Sequence, residues 1–539
     1  MKHQAALVTA ALAVPGLGSS LVTDYNVISQ FWGQLSPYRD NDENYFGVHD
    51  VGVPAGCGLE QTHLLQRHAQ RFGTGEFDDA PNDALFAAKV AAWAAAASRN
   101  SSSSSAGSGF TGPLAFLNGY TYLLGEQYLT GVGAVTEFAA GVDFWNRYGR
   151  LLFDAAPGQL AYNASFANGT ARPVKPVLRT TSQSRIWNSQ INWALGFFGP
   201  SYQATPDPAL AGWTAPFDVV VIQEGGTEND TLASYDSCHD DGLEPTVDLG
   251  DQDMWAYLPR YLGAATARLQ AYAPAGVTLT VNDTYAMQSL CAYETAYLGE
   301  SNFCPLFTLD EWAGFEVTLD AEYYYDYAYG NPTGRAQGIG YLQELLARLT
   351  GQYIPVSNTS VNASLTDNPD DFPLGQPLYA DFTHDDIIVS VLTAMSLDYF
   401  RDAPPLTQWP PNPHRRFVLS HMTPFGGRMV TEVYGCADAD PAAVTAHSTL
   451  STRASNGYDA ANAPHKFVRL RLNNGVLPVQ TIRGGACAGR TDGLCPLPAF
   501  LASQANATAL ANYAYACGGN YTLSNPLNET DYDGTIFAA

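Results

Sequence analysis

Lysine is scarce in this sequence: only Lys2, Lys89, Lys175 and Lys466 stand beside 22 arginines in 539 residues. Charge of either sign is thin, at 14% of residues where about 25% is usual. It is also lopsided, with 52 acidic side chains to 26 basic ones and a formal net charge of −26. A chain so short of positive charge offers no broad basic footprint for nucleic acid and no electrostatic hold on anionic lipid. Cys-x-x-Cys pairs are missing, which argues against a structural zinc site. Beyond the first residues no apolar run reaches the ~18 residues of a membrane span. Asn528 to Ala539 lacks the hydrophobic run of a lipid-anchor signal.

What is present points to a folded, exported chain. Hydrophobic residues make up 46% of it, enough to exclude disorder, and the length suggests about two to four domains. Met1-Lys2-His3 is followed by the apolar run Ala5–Ala13, ending in Ala-x-Ala before Val14-Pro15-Gly16. A basic start, a short apolar stretch and small residues at its end predict a signal peptide over residues 1–19 and an extracellular mature protein. Eight cysteines, an even number, then favour disulfides. Ten Asn-x-Ser/Thr sequons, at Asn100, Asn163, Asn168, Asn229, Asn282, Asn358, Asn362, Asn506, Asn520 and Asn528, suggest a glycoprotein.

The periodicity predicts an α/β protein. Ala84 to Arg99, Val135 to Asp154, Met254 to Tyr272 and Ile339 to Leu349 have helical spacing. His63 to Gln66, Val174 to Leu178, Asp218 to Ile222 and Val277 to Val281 have strand character. Lys466 to Leu472, the turn Asn473-Asn474-Gly475 and Val476-Leu477 predict a hairpin. Asn100 to Gly109, almost all serine and glycine, reads as a flexible loop. Strands interleaved with helices indicate an α/β core over 20–80, 170–245 and 341–539. The helical stretches 81–169 and 246–340 read as insertions forming a second, mostly α domain.

Three segments can carry chemistry. In Leu64-Leu65-Gln66-Arg67-His68-Ala69-Gln70-Arg71 a strand runs into a loop with a histidine between two arginines. Guanidinium forks match phosphate oxygens and stay charged, and an imidazole among them can attack phosphorus. Alone, the segment also fits a solvated basic loop. His384-Asp385 ends a strand-like run and opens an apolar helix, where a helix N-terminus faces anions and a carboxyl group can protonate a leaving alkoxide. The pairs His49-Asp50 and His239-Asp240 lie in polar, turn-like stretches and read as surface loops. Arg185 follows a strand and opens an amphipathic stretch, a place for one more arginine on a transferred phosphoryl group.

With these residues goes a resemblance. Phe31-Trp-Gly-Gln-Leu-Ser-Pro37, Val53-Pro-Ala-Gly-Cys57, the Arg67-His68 loop, Asp218 to Glu224, Leu306-Phe-Thr-Leu-Asp-Glu-Trp312, Gly330-Asn-Pro, Gly338-Ile-Gly-Tyr, Glu344-Leu-Leu-Ala-Arg-Leu-Thr350 and Leu378-Tyr-Ala-Asp-Phe-Thr-His-Asp385 occur in order. In them the chain resembles the histidine acid phosphatases, above all secreted fungal phytases, over nearly its whole mature length. The resemblance implies an α/β/α sandwich core of phosphoglycerate-mutase type with a helical inserted domain. It implies His68 as the nucleophile that becomes phosphohistidine and Asp385 as the acid. Arg67, Arg71, Arg185 and His384 then bind phosphate, and no metal or other cofactor is needed. Arg179 matches a position near the site, its role left open. It implies disulfides Cys57–Cys436, Cys238–Cys517, Cys291–Cys304 and Cys487–Cys495, and small phosphorylated molecules as substrates of a monomer.

Two departures qualify this. Where the family loop reads Arg-His-Gly-x-Arg-x-Pro, this chain has Ala69 and Gly73. A methyl group at 69 strains a backbone of positive φ, and Gly73 loosens the loop. The lysines that line a phytate pocket are replaced by Thr74-Gly-Glu76-Phe-Asp78-Asp79 and Leu319-Asp320-Ala-Glu322-Tyr-Tyr-Tyr-Asp326, where carboxylates oppose a polyphosphorylated substrate. Tyr323 to Tyr325 reads as core. The resulting expectation is a secreted acid phosphatase with phytate as a substrate. The alternatives are an acid phosphatase of broad specificity acting poorly on phytate and a non-catalytic protein binding phosphorylated ligands.

Overall fold

The computed structural model describes residues 20–74, 79–99, 109–156, 158–162, 175–202, 215–243, 246, 249–444, 456–523 and 531–538. Residues 1–19, expected to be a signal peptide, and the serine-rich segment 100–108 lie outside them.

Strand β1 (Cys57–Arg67) runs through the centre. Successive side chains of a strand point to opposite faces, so the neighbours Leu64 and Leu65, both 0% exposed, enter two different hydrophobic clusters. A strand apolar on both faces is one covered on both sides. The other strands are β2 (Val177–Thr181), β3 (Asp218–Ile222), β4 (Leu378–Thr383), β5 (Arg428–Cys436), β6 (His465–Leu472), β7 (Gly475–Val476) and β8 (Cys495–Pro496). Their order is β3-β2-β4-β1-β5-β6-β7, with β8 on β6. β3, β2, β4 and β1 are parallel neighbours, and β5 and β6 continue antiparallel. The β6–β7 turn has Asn473 at φ 45° and Asn474 at φ 71°, the two left-handed residues that a tight hairpin needs.

Eight helices of ten residues or more flank the sheet among the described residues: α1 (Asp79–Arg99), α2 (Gly131–Phe144), α3 (Ser184–Phe198), α4 (Leu249–Gln270), α5 (Val281–Leu298), α6 (Leu309–Tyr327), α7 (Gly334–Thr350) and α8 (Asp385–Ala394). On one face α2 packs on α3 so closely that a Cβ at Gly141 would lie 2.0 Å from the Trp193 carbonyl oxygen. One at Gly196 would lie 2.1 Å from that of Phe138. On the other face α4 packs on α6, α7 on α8 and α1 on α5, around one cluster shared with the sheet. This is an α/β/α layering with helices massed on one side.

Local signals misled at one strand. Val277 to Thr280 is a loop and Val281 opens α5, which Thr280 caps: its Oγ1 accepts from the Asp283 amide, and the Asp283 carboxylate accepts from the Thr280 amide. α6 shows no amphipathic pattern because Glu311 to Asp326 is buried throughout. Four of its carboxylates meet donors, as buried charge requires: Glu311 meets Arg268, Glu316 and Asp320 share Arg415, and Asp326 accepts from the Gly250 amide. The cysteines close Cys57–Cys436, Cys238–Cys517, Cys291–Cys304 and Cys487–Cys495. No described helix is long and apolar enough to cross a membrane.

Candidate active site

β1 and β4 are parallel with Arg67 opposite Thr383, and β2 and β3 with Thr181 opposite Ile222. All four strands therefore end on one edge, where ligands of parallel sheets bind. His68 and Arg71 follow β1, Arg185 lies in the first turn of α3 after β2, and Glu224 follows β3. His384 is the N-cap of α8 after β4 and Asp385 its first residue. The His68 loop is pinned by backbone bonds: the His68 amide donates to Thr383 O (3.1 Å), the Arg67 amide to Gly427 O (2.9 Å) and the Gly426 amide to His68 O (3.0 Å).

His68 is 1% exposed. Its Nδ1 lies 2.7 Å from its neighbour Ala69's carbonyl oxygen, which can only accept, so Nδ1 carries the proton and Nε2 the lone pair. Nε2 has no hydrogen-bond partner among the described residues. Burial, then the charges of Arg67, Arg185 and Arg71, hold the imidazole well below its usual pKa, which favours the neutral, nucleophilic form.

Asp385 faces this loop. Arg67 Nη2 lies 2.6 Å from its Oδ2, and the Tyr323 hydroxyl donates to the same oxygen at 2.6 Å. Arg67 is anchored behind by donation from Nη1 to the carbonyls of Gln34 and Thr423. Burial by itself raises the Asp385 carboxyl, but Arg67 and Arg71 outweigh it and hold it below its usual value. Arg71 Nη1 donates to Phe72 O at 3.0 Å and reaches the Tyr293 hydroxyl at 3.4 Å. The His68 and His384 rings are 5.9 Å apart at 80°. His384 Nε2 lies 3.2 Å from Glu224 Oε2 and 3.1 Å from the Tyr235 hydroxyl. Burial disfavours its imidazolium, yet Glu224 prevails and raises its pKa. Arg185, 4% exposed, acts electrostatically on both histidines.

The arrangement is a buried neutral imidazole among arginines, with a carboxyl group and a second histidine opposite. A model of the histidine phosphatase superfamily (branch 2) matches residues 58–473. The chain belongs to that superfamily. Among curated relatives, Phytase A of Aspergillus oryzae is 30% identical over 422 residues, covering 77% of this chain and 81% of its own. Phytase A of Arthroderma benhamiae is 26% identical over 524 residues, covering 95% and 98%. Among solved structures, the phytase from D. castellii superposes with a TM-score of 0.65 at 20% identity, over 96% of this chain and 97% of its own. A Bifidobacterium longum multiple inositol polyphosphate phosphatase in complex with inositol hexasulfate gives 0.52 at 14%, over 87% and 96%.

In this histidine phosphatase the six residues singled out from the sequence, Arg67, His68, Arg71, Arg185, His384 and Asp385, share one edge of the sheet. Arg179 does not join them: it is buried between Asp381 (Nε–Oδ1 2.7 Å) and Glu344 (2.7 Å), and Arg348 takes the other oxygen of Asp381 at 2.5 Å. Its role is to hold the sheet to α7. His49 and His239 are exposed. Ala69 is not strained, because its φ is not among the positive ones; its buried methyl group lies against Gly426. Of the carboxylates expected to oppose substrate, Asp320 is tied to Arg415 and the Leu419 amide, and Glu76, Asp78 and the Asp79 side chain fall outside the described parts. Tyr323, Tyr324 and Tyr325 are buried in the core as expected, and the Tyr323 hydroxyl also reaches Asp385.

Sequence reading missed Glu224, Tyr235, Gln183, Tyr323 and Glu137. Gln183 Nε2 and the Tyr235 hydroxyl both donate to Glu224 Oε1 at 2.6 Å. Glu137, from α2, lies behind the loop and accepts from Gln66. The one available signal was position: Glu224 stands two residues beyond a strand, as His384 stands one beyond another. Among the sequons, Asn282, Asn358, Asn506 and Asn520 are exposed and Asn362 half-buried. Asn229 donates its Nδ2 to the carbonyls of Thr359 and Val361. Asn100, Asn163, Asn168 and Asn528 lie outside the described residues.

Proposed function

We propose that this histidine phosphatase is a secreted acid phosphatase that cleaves phosphate monoesters through a phosphohistidine, with myo-inositol hexakisphosphate among its substrates. The observation that carries the reading is His68 Nε2, which has no hydrogen-bond partner among the described residues, at the sheet edge that also holds Arg67 and Asp385. The Phytase A relatives support the named substrate, and four disulfides support export.

In the first step the ester phosphate binds Arg67, Arg71, Arg185 and His384. His68 Nε2 attacks phosphorus, an Nε2–P bond forms and the ester P–O bond breaks. The departing oxygen takes the proton of the Asp385 carboxyl group. That proton enters with the substrate: a phosphate monoester has its second pKa near 6, so in acid it arrives as a monoanion. Its charge, taking up Arg67 and Arg71, raises the proton affinity of Asp385. In the second step Asp385, now a carboxylate, removes a proton from water, the water oxygen bonds to phosphorus, and the Nε2–P bond breaks to release inorganic phosphate.

The test is phosphate release at about pH 3–6, where substrate monoanion and His384 cation coexist, from an aryl phosphate and from phytate. Wild type is expected to act on both, and His68→Ala on neither. Alkaline quenching should trap a phosphoryl group on wild type only. Equal activity of the two proteins removes His68 as nucleophile, and an inactive wild type removes the proposed reaction.

A further inference from the structure

Glu224 belongs to none of the roles assigned above, yet its side chain makes three polar contacts at the site's edge. Both carboxylate oxygens are engaged: Oε1 accepts from Tyr235 and Gln183 at 2.6 Å each, and Oε2 lies 3.2 Å from His384 Nε2. Its amide accepts no freedom either, lying 3.0 Å from Ser182 Oγ, to which it donates. Its partners are residues of the site: Gln183 is two positions before Arg185, and the Tyr235 hydroxyl also touches His384 at 3.1 Å. The Glu224 and His384 side chains are only 8% and 4% exposed, so water screens the pair weakly.

We propose that Glu224 is a positioning residue, holding the His384 imidazole at the phosphoryl site through a hydrogen bond braced by Tyr235 and Gln183. The proposal rests on the phosphatase reading of that site. The groups facing His384 are Glu224 and Tyr235, Arg185 from α3, His68 from the β1 loop, and Asp385 and Asp386 from α8. Arg185 opposes an imidazolium. Asp385 is taken up by Arg67. Burial raises Asp386 to about 7, so in acid it is mostly uncharged. Glu224 is different: burial raises it too, but His384 and the bonds from His384 and Tyr235 bring it down to about 2. It is therefore the carboxylate whose full charge supports the imidazolium through the acidic range. A protonated His384 gives the phosphoryl oxygens a donor and a positive charge where negative charge accumulates.

The experiment compares wild type, Glu224→Gln, Glu224→Asp and Tyr235→Phe in the full chain. It reads the pH profile of kcat/KM on an aryl phosphate, and the pH dependence of inorganic phosphate binding by calorimetry, which needs no turnover. In Glu224→Gln the basic limb should move to lower pH, so that activity at pH 7 relative to pH 5 falls about tenfold below the wild-type ratio, the factor carried by one pKa unit. Phosphate affinity should fall in the same pH range. Glu224→Asp should restore the limb, and Tyr235→Phe should lower kcat/KM about fivefold across the profile, as expected for one lost hydrogen bond. A Glu224→Gln profile of wild-type shape overturns the proposal, whether activity is unchanged or reduced uniformly with a lower melting temperature. An inactive wild type would instead overturn the phosphatase reading, while the calorimetric profile would still decide the role of Glu224.

Discussion

Replacing Glu137 by glutamine should make the protein more stable, and only away from acid. Glu137 is 0% exposed; burial raises its carboxyl from 4.5 to about 8 despite the opposing pull of Gln66, Arg428, Ser189 and Arg67. The folded chain therefore keeps a proton there that the unfolded chain gives up above its ordinary value of 4.5. A raised carboxyl contributes stability that is complete below the unfolded pKa and lost as pH rises toward the folded one. Each pH unit in that window costs about 1.36 kcal/mol, so by pH 7 the cost approaches about 3 kcal/mol. A glutamine has the same shape, can accept from Gln66 as the protonated acid does, and carries no titration. Urea unfolding of wild type and Glu137→Gln at pH 4, 5, 6 and 7 should give curves that coincide at pH 4 and diverge by about 3 kcal/mol at pH 7. An offset independent of pH would refute the argument, since it would make the difference one of packing rather than of a retained proton.

Other outcomes follow from the same geometry. Asp385→Asn should slow phosphate esters of poor leaving groups far more than aryl phosphates, measured as kcat for an alkyl and an aryl ester, because only the former need the proton. Tyr323→Phe removes a hydrogen bond that favours the Asp385 carboxylate. It should move the Asp385-dependent limb of the rate profile to higher pH, with about 1 kcal/mol lost in urea unfolding. Asp381→Asn leaves Arg179 and Arg348 buried with less charge to meet and should cost about 3–5 kcal/mol. Because those arginines hold Asp381 far below its usual pKa, that difference should persist at pH 4. Glycan mapping by mass spectrometry should find Asn229 unmodified, since its Nδ2 already donates to two carbonyl oxygens; a sugar there would contradict the local structure.

How much of this was legible beforehand depended on whether the signal was local. Arg67-His68 and His384-Asp385 could be read because each pairs reactive side chains with a strand end, and a short stretch of sequence shows both. Glu224 could not, since a carboxylate after a strand acquires meaning only when β3 lies beside β2 and β2 beside β4, bringing it to a histidine 160 positions away. Tyr323 read correctly as core, but the reach of its hydroxyl to Asp385 shows only once α6 is placed beside α8. α5 and α6 escaped periodicity because helices buried on every side have no polar stripe to detect. Val277 to Val281 has the composition of a strand, but Thr280 and Asp283 form a capping box, and the following helix claims its last residue.

The parallel pairing of β1 with β4 joins Thr62 to Leu378 and Arg67 to Thr383, and this has a bearing on how the protein comes into being on the ribosome. A nascent chain carries His68 and its arginines early, but the acid that completes the set is encoded more than 300 residues later. Until β4 has been synthesised and has slotted between β2 and β1, the Arg67 guanidinium lacks its carboxylate and the His68 amide lacks the Thr383 carbonyl that anchors it. Truncated or prematurely released chains therefore carry the nucleophile without the machinery, and phosphate-ester cleavage begins only in molecules that have closed their central sheet.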